Sequence, residues 1–203
     1  MIAIVDYGAG NLESVVRAFQ KLGEPAQITQ RTEDIASATR IVLPGVGFFD
    51  SAMALLRERG LVEVLERRVR QEGVPVLGIC LGFQMFSRHS EEGNAAGLGW
   101  LDAEVRKLPA GELKIPHIGW NDLAWQTGAT LDVGLKPGAC FYFAHSYYVD
   151  LAPNHAPAAT CCYGAQFTAA VQHGNLFGVQ FHPEKSHENG LRLLQNFLEA
   201  SHA

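Results

Sequence analysis

The sequence has no long cluster of lysine and arginine, and its 203 residues carry 16 basic against 21 acidic side chains, a formal charge of −5. Nucleic-acid phosphates are held by clustered cations, so a nucleic-acid partner is not expected. Between Leu151 and Pro183 there is no Asp, Glu, Lys or Arg at all. A membrane-spanning helix needs about 20 predominantly apolar residues. Here Pro153, Asn154, Pro157, Gly164, Gln166, Gln172, Gly174 and Asn175 interrupt the stretch, which reads instead as buried strands and turns. The opening Met1-Ile2-Ala3-Ile4-Val5-Asp6 lacks the basic flank and long apolar core of a secretory signal. Cysteine is scarce (Cys80, Cys140, Cys161 and Cys162) and no C-x-x-C spacing occurs. A metal site is therefore not expected, and a reducing cytoplasmic setting is. The thiols are left for packing or for chemistry.

What is present is globular composition, 47% hydrophobic and 18% charged, without linker, repeat or low-complexity segment. Residues 1–203 are expected to form one domain. Met1 to Tyr7 is a nearly continuous apolar run, as for a strand buried on both faces. Asn11 is placed to cap a helix carrying Leu12, Val15, Val16, Phe19 and Leu22, which Gly23 ends. Strands are expected near Ala26–Thr29, Arg40–Leu43 and Val74–Ile79, with helical patterns over roughly 49–71. After about Gly97 the chain turns strand-rich, with Phe141 to Val149 as one aromatic strand and a hairpin around His173-Gly174-Asn175. A last helix is expected over about 187–200. The fold class that follows is α/β, a mostly parallel central sheet flanked by helices with an added antiparallel region.

Chemistry concentrates at Gly78-Ile79-Cys80-Leu81-Gly82. A buried strand, a G-x-C-x-G turn and a helix make a nucleophile elbow with cysteine in place of serine. The flanking glycines let a strained turn lift the sulfur clear of the sheet, toward a helix N-terminus that favours thiolate. Gln84, four residues on, shares the helix face of Cys80 and is a candidate substrate contact. Of the eight histidines, His182 in Gln180-Phe181-His182-Pro183-Glu184 is the best-placed base. Glu184, two residues on, is placed to orient it, with Pro183 fixing the turn. Nucleophile, base and orienter are then Cys80, His182 and Glu184. Pro44-Gly45-Val46-Gly47 follows a buried strand, where such sheets present N–H groups to ligands. Leu81 N–H with the N–H of Val46 or Gly47 would make an oxyanion hole.

In this order, P-G-x-G, G-x-C-x-G-x-Q and H-P-E resemble the class I, or triad, glutamine amidotransferases. Asp6-Tyr7-Gly8-Ala9-Gly10-Asn11-Leu12, the segment Pro44 to Met53, Pro116-His117-Ile118-Gly119-Trp120-Asn121 and Phe141 to Tyr148 resemble one branch of that family, the glutaminase subunits of imidazole glycerol phosphate synthase. The resemblance implies glutamine hydrolysis through a Cys80 thioester, without cofactor or metal. It implies a heterodimer with a cyclase subunit of (β/α)8-barrel fold, which receives the ammonia through a sheltered path. There the ammonia is used to make imidazole glycerol phosphate and the aminoimidazole carboxamide ribotide of histidine biosynthesis. It also assigns Gly47, Gln84, Ser146 and Tyr147 to glutamine binding, and Trp120, Asn121 and Tyr142 to the partner-facing surface. From the residues alone, the aromatic segment reads first as a strand in a packed sheet, and Trp120 as core or interface. Triad subunits serving anthranilate, aminodeoxychorismate, pyridoxal phosphate or purine synthesis, or a stand-alone γ-glutamyl hydrolase, share the elbow and are the alternatives.

Overall fold

In this computed structural model residues 1–200 are described; residues 201–203, the end of the expected domain, lie outside the described residues. The first half runs β1 (Ile2–Val5), α1 (Leu12–Lys21), β2 (Ala26–Thr29), α2 (Thr32–Ser37), β3 (Arg40–Gly45), α3 (Phe49–Glu58), α4 (Leu61–Glu66), β4 (Val76–Cys80) and α5 (Leu81–Gln84). The second half runs β5 (His89–Ser90), β6 (Ala95–Ala96), β7 (Ala103–Lys107), β8 (His117–Asp122), β9 (Ala124–Trp125), β10 (Cys140–His145), β11 (Tyr147–Leu151), β12 (Ala159–Tyr163), β13 (Ala165–His173), β14 (Leu176–Val179) and α6 (His187–Glu199).

An eight-stranded sheet in the order β2-β1-β3-β4-β14-β13-β12-β9 forms the centre. Its first five strands are parallel, and β13, β12 and β9 add the antiparallel part. Side-chain parity shows why the N-terminal strands are apolar throughout. Ile2 and Ile4 of β1, Val42 of β3 and Leu77 and Ile79 of β4 enter one core, which Val15, Phe19, Leu194 and Phe197 of α1 and α6 complete. Ala3, Val5, Ile41, Leu43 and Val76 enter the other, closed by Ile35, Met53, Leu56 and Leu65 of α2, α3 and α4. Alternating Cβ directions divide each strand between two helix layers. Two smaller sheets, β10-β8 and β11-β7-β5-β6, complete the second half.

The expected fold class is found, with local differences. Asn11 stands at the start of α1 but makes no side-chain capping hydrogen bond. The 49–71 helical stretch is broken at Gly60, whose φ of 66° ends one helix and starts the next. Phe141 to Val149 is two strands in different sheets, because the chain crosses between sheets at Ser146. The helix after Cys80 is a single turn, so local N–H groups rather than a long helix dipole face the sulfur.

Close packing explains the elbow's glycines. A Cβ on Gly82 would stand 1.7 Å from the Leu43 carbonyl oxygen, and one on Gly78 2.6 Å from Phe83 Cα. Both obstacles are backbone, which cannot rotate aside. Gly82→Ala is therefore expected to destabilise the protein by about 1–3 kcal/mol or more and to displace the elbow. Chemical denaturation measures this; an unchanged midpoint would contradict the packing account.

Candidate active site

Cys80, the expected nucleophile, stands at the carboxyl end of a central strand, where parallel sheets place ligands. Cys80 has φ 53° and ψ −109°, a conformation that L-residues rarely hold, and its side chain is 6% exposed. That strain belongs to the elbow and aims the sulfur into a cleft of about 240 Å³ lined by Val46, Gly47, Leu81, Gln84, Ser146 and Tyr147, among others. All the residues expected to bind substrate or form the oxyanion hole thus share one cleft with Cys80. Gly47 holds φ 103°, open to glycine and strained for other residues. Beneath this turn the Tyr7 hydroxyl donates to the Pro44 carbonyl at 2.9 Å. Burial pushes the Tyr7 phenol well above its usual range, with the charge of Cys80 adding, so it remains a donor.

His182 approaches from β14. Its Nδ1–H donates to Glu184 Oε1 at 2.9 Å, which leaves Nε2 for the sulfur. The side chains of the pair are only 4% and 2% exposed, so the carboxylate is largely removed from water and committed to the ring. The backbone fixes the ring as well: His182 N–H donates to the Tyr142 carbonyl at 2.8 Å, and the Ser186 hydroxyl donates to the His182 carbonyl at 2.6 Å. Burial pulls the His182 pKa down, but hydrogen bonds to Cys80 and Glu184, with their negative charges, outweigh it and raise the value to about 10. The imidazolium is the favoured form beside the sulfur, which suits an activated thiolate.

Two further histidines have the opposite fate. Burial lowers His117 to about 4. Burial also takes His145 to about 3, against the hydrogen bond from its ring to the Tyr147 carbonyl and with His117 and His182 adding to the fall. His145 Nδ1–H donates to Tyr147 O at 2.8 Å, so its Nε2 accepts from His117 Nδ1–H at 3.1 Å. His145 lines the cleft, but both of its ring nitrogens are engaged.

Three contributors to the cleft were not among the sequence candidates. Gln180 is fully buried, and its Nε2 lies 3.6 Å from Cys80 Sγ. Its spacing of two from His182 in extended chain was the available signal. Tyr7 acts from beneath the P-G-V-G turn. Glu92, on an irregular segment with no pattern to betray it, lines the cleft and accepts from Phe49 N–H at 2.9 Å. Burial raises the Glu92 pKa, partly offset by that N–H, with Asp50 adding to the rise. Among the described residues, no group of three or more His, Cys, Asp or Glu is placed to hold a metal ion.

The three surface candidates divide. Trp120 and Tyr142 are register partners on β8 and β10, with ring centroids 6.0 Å apart. Trp120 also stacks on His187 at 5.0 Å, and Lys185 Nζ sits 5.6 Å from the Tyr142 ring centroid. Asn121, next to Trp120 in a strand, points the other way, and its amide donates to the Cys162 carbonyl at 3.0 Å.

The electrostatics carry a sign that is open to test. A histidine raised above its ordinary 6.5 to about 10 stabilises the fold fully below pH 6.5, and that contribution is lost as pH rises through about 10. In Glu184→Gln, burial should pull the His182 titration lower and shrink this alkaline loss. Ring-proton NMR and denaturant melts at both ends of the window measure it; an unmoved titration midpoint would contradict the assigned cause.

The sequence pattern of class-I glutamine amidotransferases matches residues 3–200. Imidazole glycerol phosphate synthase subunit HisH of Moorella thermoacetica is 49% identical over 199 residues, 98% of this chain and 94% of that one. The HisH subunit of Bdellovibrio bacteriovorus is 45% identical, with 98% and 100% covered. Among solved structures, one described as a glutamine amidotransferase superposes with a TM-score of 0.77 at 21% identity, covering 98% of both chains, and supports the fold. The chain belongs to the class-I glutamine amidotransferase family, within the branch formed by the HisH subunits of imidazole glycerol phosphate synthase.

Proposed function

We propose that Cys80, His182 and Glu184 carry out glutamine hydrolysis in the glutaminase subunit of imidazole glycerol phosphate synthase, supplying ammonia to a cyclase subunit in histidine biosynthesis. The observation that carries the residue roles is the Cys80–His182–Glu184 chain, buried at the end of a cleft large enough for one amino acid. The pathway reading is supported by relatives 44–49% identical over nearly the full chain, all HisH subunits by name.

In this reading the Cys80 thiolate attacks the side-chain amide carbon of glutamine, and the carbonyl oxygen becomes an oxyanion. Leu81 N–H, with that of Val46 or Gly47, receives the charge. His182 gives its proton to the nitrogen, the C–N bond breaks, and ammonia leaves a γ-glutamyl thioester on Cys80. Water, deprotonated by His182, then attacks the thioester and releases glutamate and the thiolate. Gly47, Gln84, Ser146 and Tyr147 hold the amino-acid end of glutamine, and Glu92 offers its α-ammonium a carboxylate.

The ammonia passes to the partner rather than to solvent, because protonated in water it is no nucleophile. A cyclase of (β/α)8-barrel fold would dock as a heterodimer over the exposed Trp120 and Ile118 and the half-buried Tyr142. Trp120 is 48% and Ile118 62% exposed, the aromatic and aliphatic surface that interface cores favour. The His182 N–H to Tyr142 carbonyl bond ties that surface to the base. Asn121 would contribute by bracing β8 against β12 through Cys162 rather than by projecting outward. A cytoplasmic setting suits a thiol that must remain reduced. No described helix is long and apolar enough to cross a membrane.

Glutamate production from glutamine, by the chain alone and then with the cyclase subunit and its nucleotide substrate, tests the reading. A low rate alone, a large rise in the full mixture and abolition by Cys80→Ala are expected. High activity alone that the cyclase leaves unchanged would overturn the pathway assignment.

A further inference from the structure

The geometry points to Gln180 as a further catalytic residue, whose side-chain amide donates to the Cys80 sulfur and holds it as thiolate. This rests on Cys80 being the nucleophile and adds a residue to its immediate surroundings. Gln180 is 0% exposed. A buried primary amide must place its donors and acceptor within the protein. Its Nε2 lies 3.6 Å from Cys80 Sγ, within reach for an N–H donor to the large sulfur atom, and its Oε1 lies 3.1 Å from Gln84 Nε2.

The orientation of the amide is forced by its neighbours. The Tyr147 carbonyl accepts only, so the Gln84 atom 2.9 Å from it is Nε2. The second N–H of the same Gln84 nitrogen then meets Gln180, so the facing Gln180 atom is the oxygen. Gln180 Nε2 is left for the sulfur. The His145 Nδ1–H anchors the same Tyr147 carbonyl from the other side, at 2.8 Å. Turning Gln84 over would set its oxygen against the Tyr147 carbonyl, and turning Gln180 over would set two amide nitrogens, both donors, against each other.

An amide donor suits this position because it neither takes nor gives a proton, and so does not compete with His182. A hydrogen bond to the ionised sulfur is stronger than one to the neutral thiol. It acts twice in the cycle. It raises the fraction of thiolate ready to attack glutamine, and it receives the thiolate again when water breaks the carbon–sulfur bond of the thioester. The chain Tyr147 O, Gln84, Gln180, Cys80 also joins the substrate-facing wall of the cleft to the nucleophile through three hydrogen bonds.

The test uses two full-length variants. Gln180→Met and Gln180→Leu each remove the donor at similar volume without adding charge beside the sulfur. The thiolate absorbance of each, taken as the difference from the same chain carrying Cys80→Ala, is titrated with pH. Near-UV circular dichroism verifies folding, and Gln180→Leu decides if Gln180→Met does not fold. The expected result is a midpoint about one pH unit above that of the unaltered chain. Glutaminase activity in the complete enzyme should fall about tenfold at neutral pH and recover as the pH is raised. Variants that titrate with the unaltered chain, or that lose activity equally at every pH, would overturn the proposal and leave Gln180 a packing residue. Activity surviving Cys80→Ala would instead overturn the nucleophile assignment, whatever the Gln180 variants do.

Discussion

The site depends on how closely the elbow is pressed onto the neighbouring strand. With Gly82 against the Leu43 carbonyl, β4 can end in a left-handed Cys80 and turn at once into α5. That contact sets the height of the sulfur above the sheet. It also sets the distance from Leu81 N–H to the P-G-V-G turn at the end of β3, since β3 and β4 are register partners through Gly45 and Cys80. The parallel ladder continues from β4 to β14, which delivers Gln180 and His182 from the other side. Three adjacent parallel strands therefore carry the P-G-V-G turn, Cys80 and His182, and backbone hydrogen bonding fixes their relative positions.

On this scaffold, burial alone would abolish the chemistry. Removing an imidazole from water disfavours its charged form, as His117 and His145 demonstrate within the same region. His182 is as buried as they are, yet it is raised, because a sulfur and a carboxylate flank its two nitrogens. With no thiolate or carboxylate against its ring, His145 stays neutral and donates to Tyr147, whereas the sulfur and carboxylate beside His182 hold its proton. The difference between a wall and a base is set by partners, not by residue type or depth.

Much of this was legible in the sequence. The G-x-C-x-G turn after an apolar strand and the H-P-E segment after another pointed to Cys80, His182 and Glu184, which the structure brings together, and apolar runs alternating with helical patterns pointed to the parallel sheet. What escaped was of two kinds. Long-range packing decided where strands break, as at Ser146, which divides one aromatic run between two sheets. Side-chain orientation at single positions also escaped: Asn121 reads as a companion of Trp120 until strand alternation turns it toward Cys162. Glu92 and Tyr7 enter the site from segments whose local pattern carries no catalytic signal. Gln180 was readable only by asking which residue shares the face of His182.

The central claim is that the most reactive thiol is the buried one. Cys80 is 6% exposed, whereas Cys140 and Cys162 are open to solvent. Peptide mapping after treatment with an electrophilic glutamine analogue, with the cyclase subunit present, tests this most directly. The account predicts modification of Cys80 alone, suppressed by excess glutamine. Modification of Cys140 or Cys162 in preference to Cys80, or labelling that glutamine does not suppress, would contradict it.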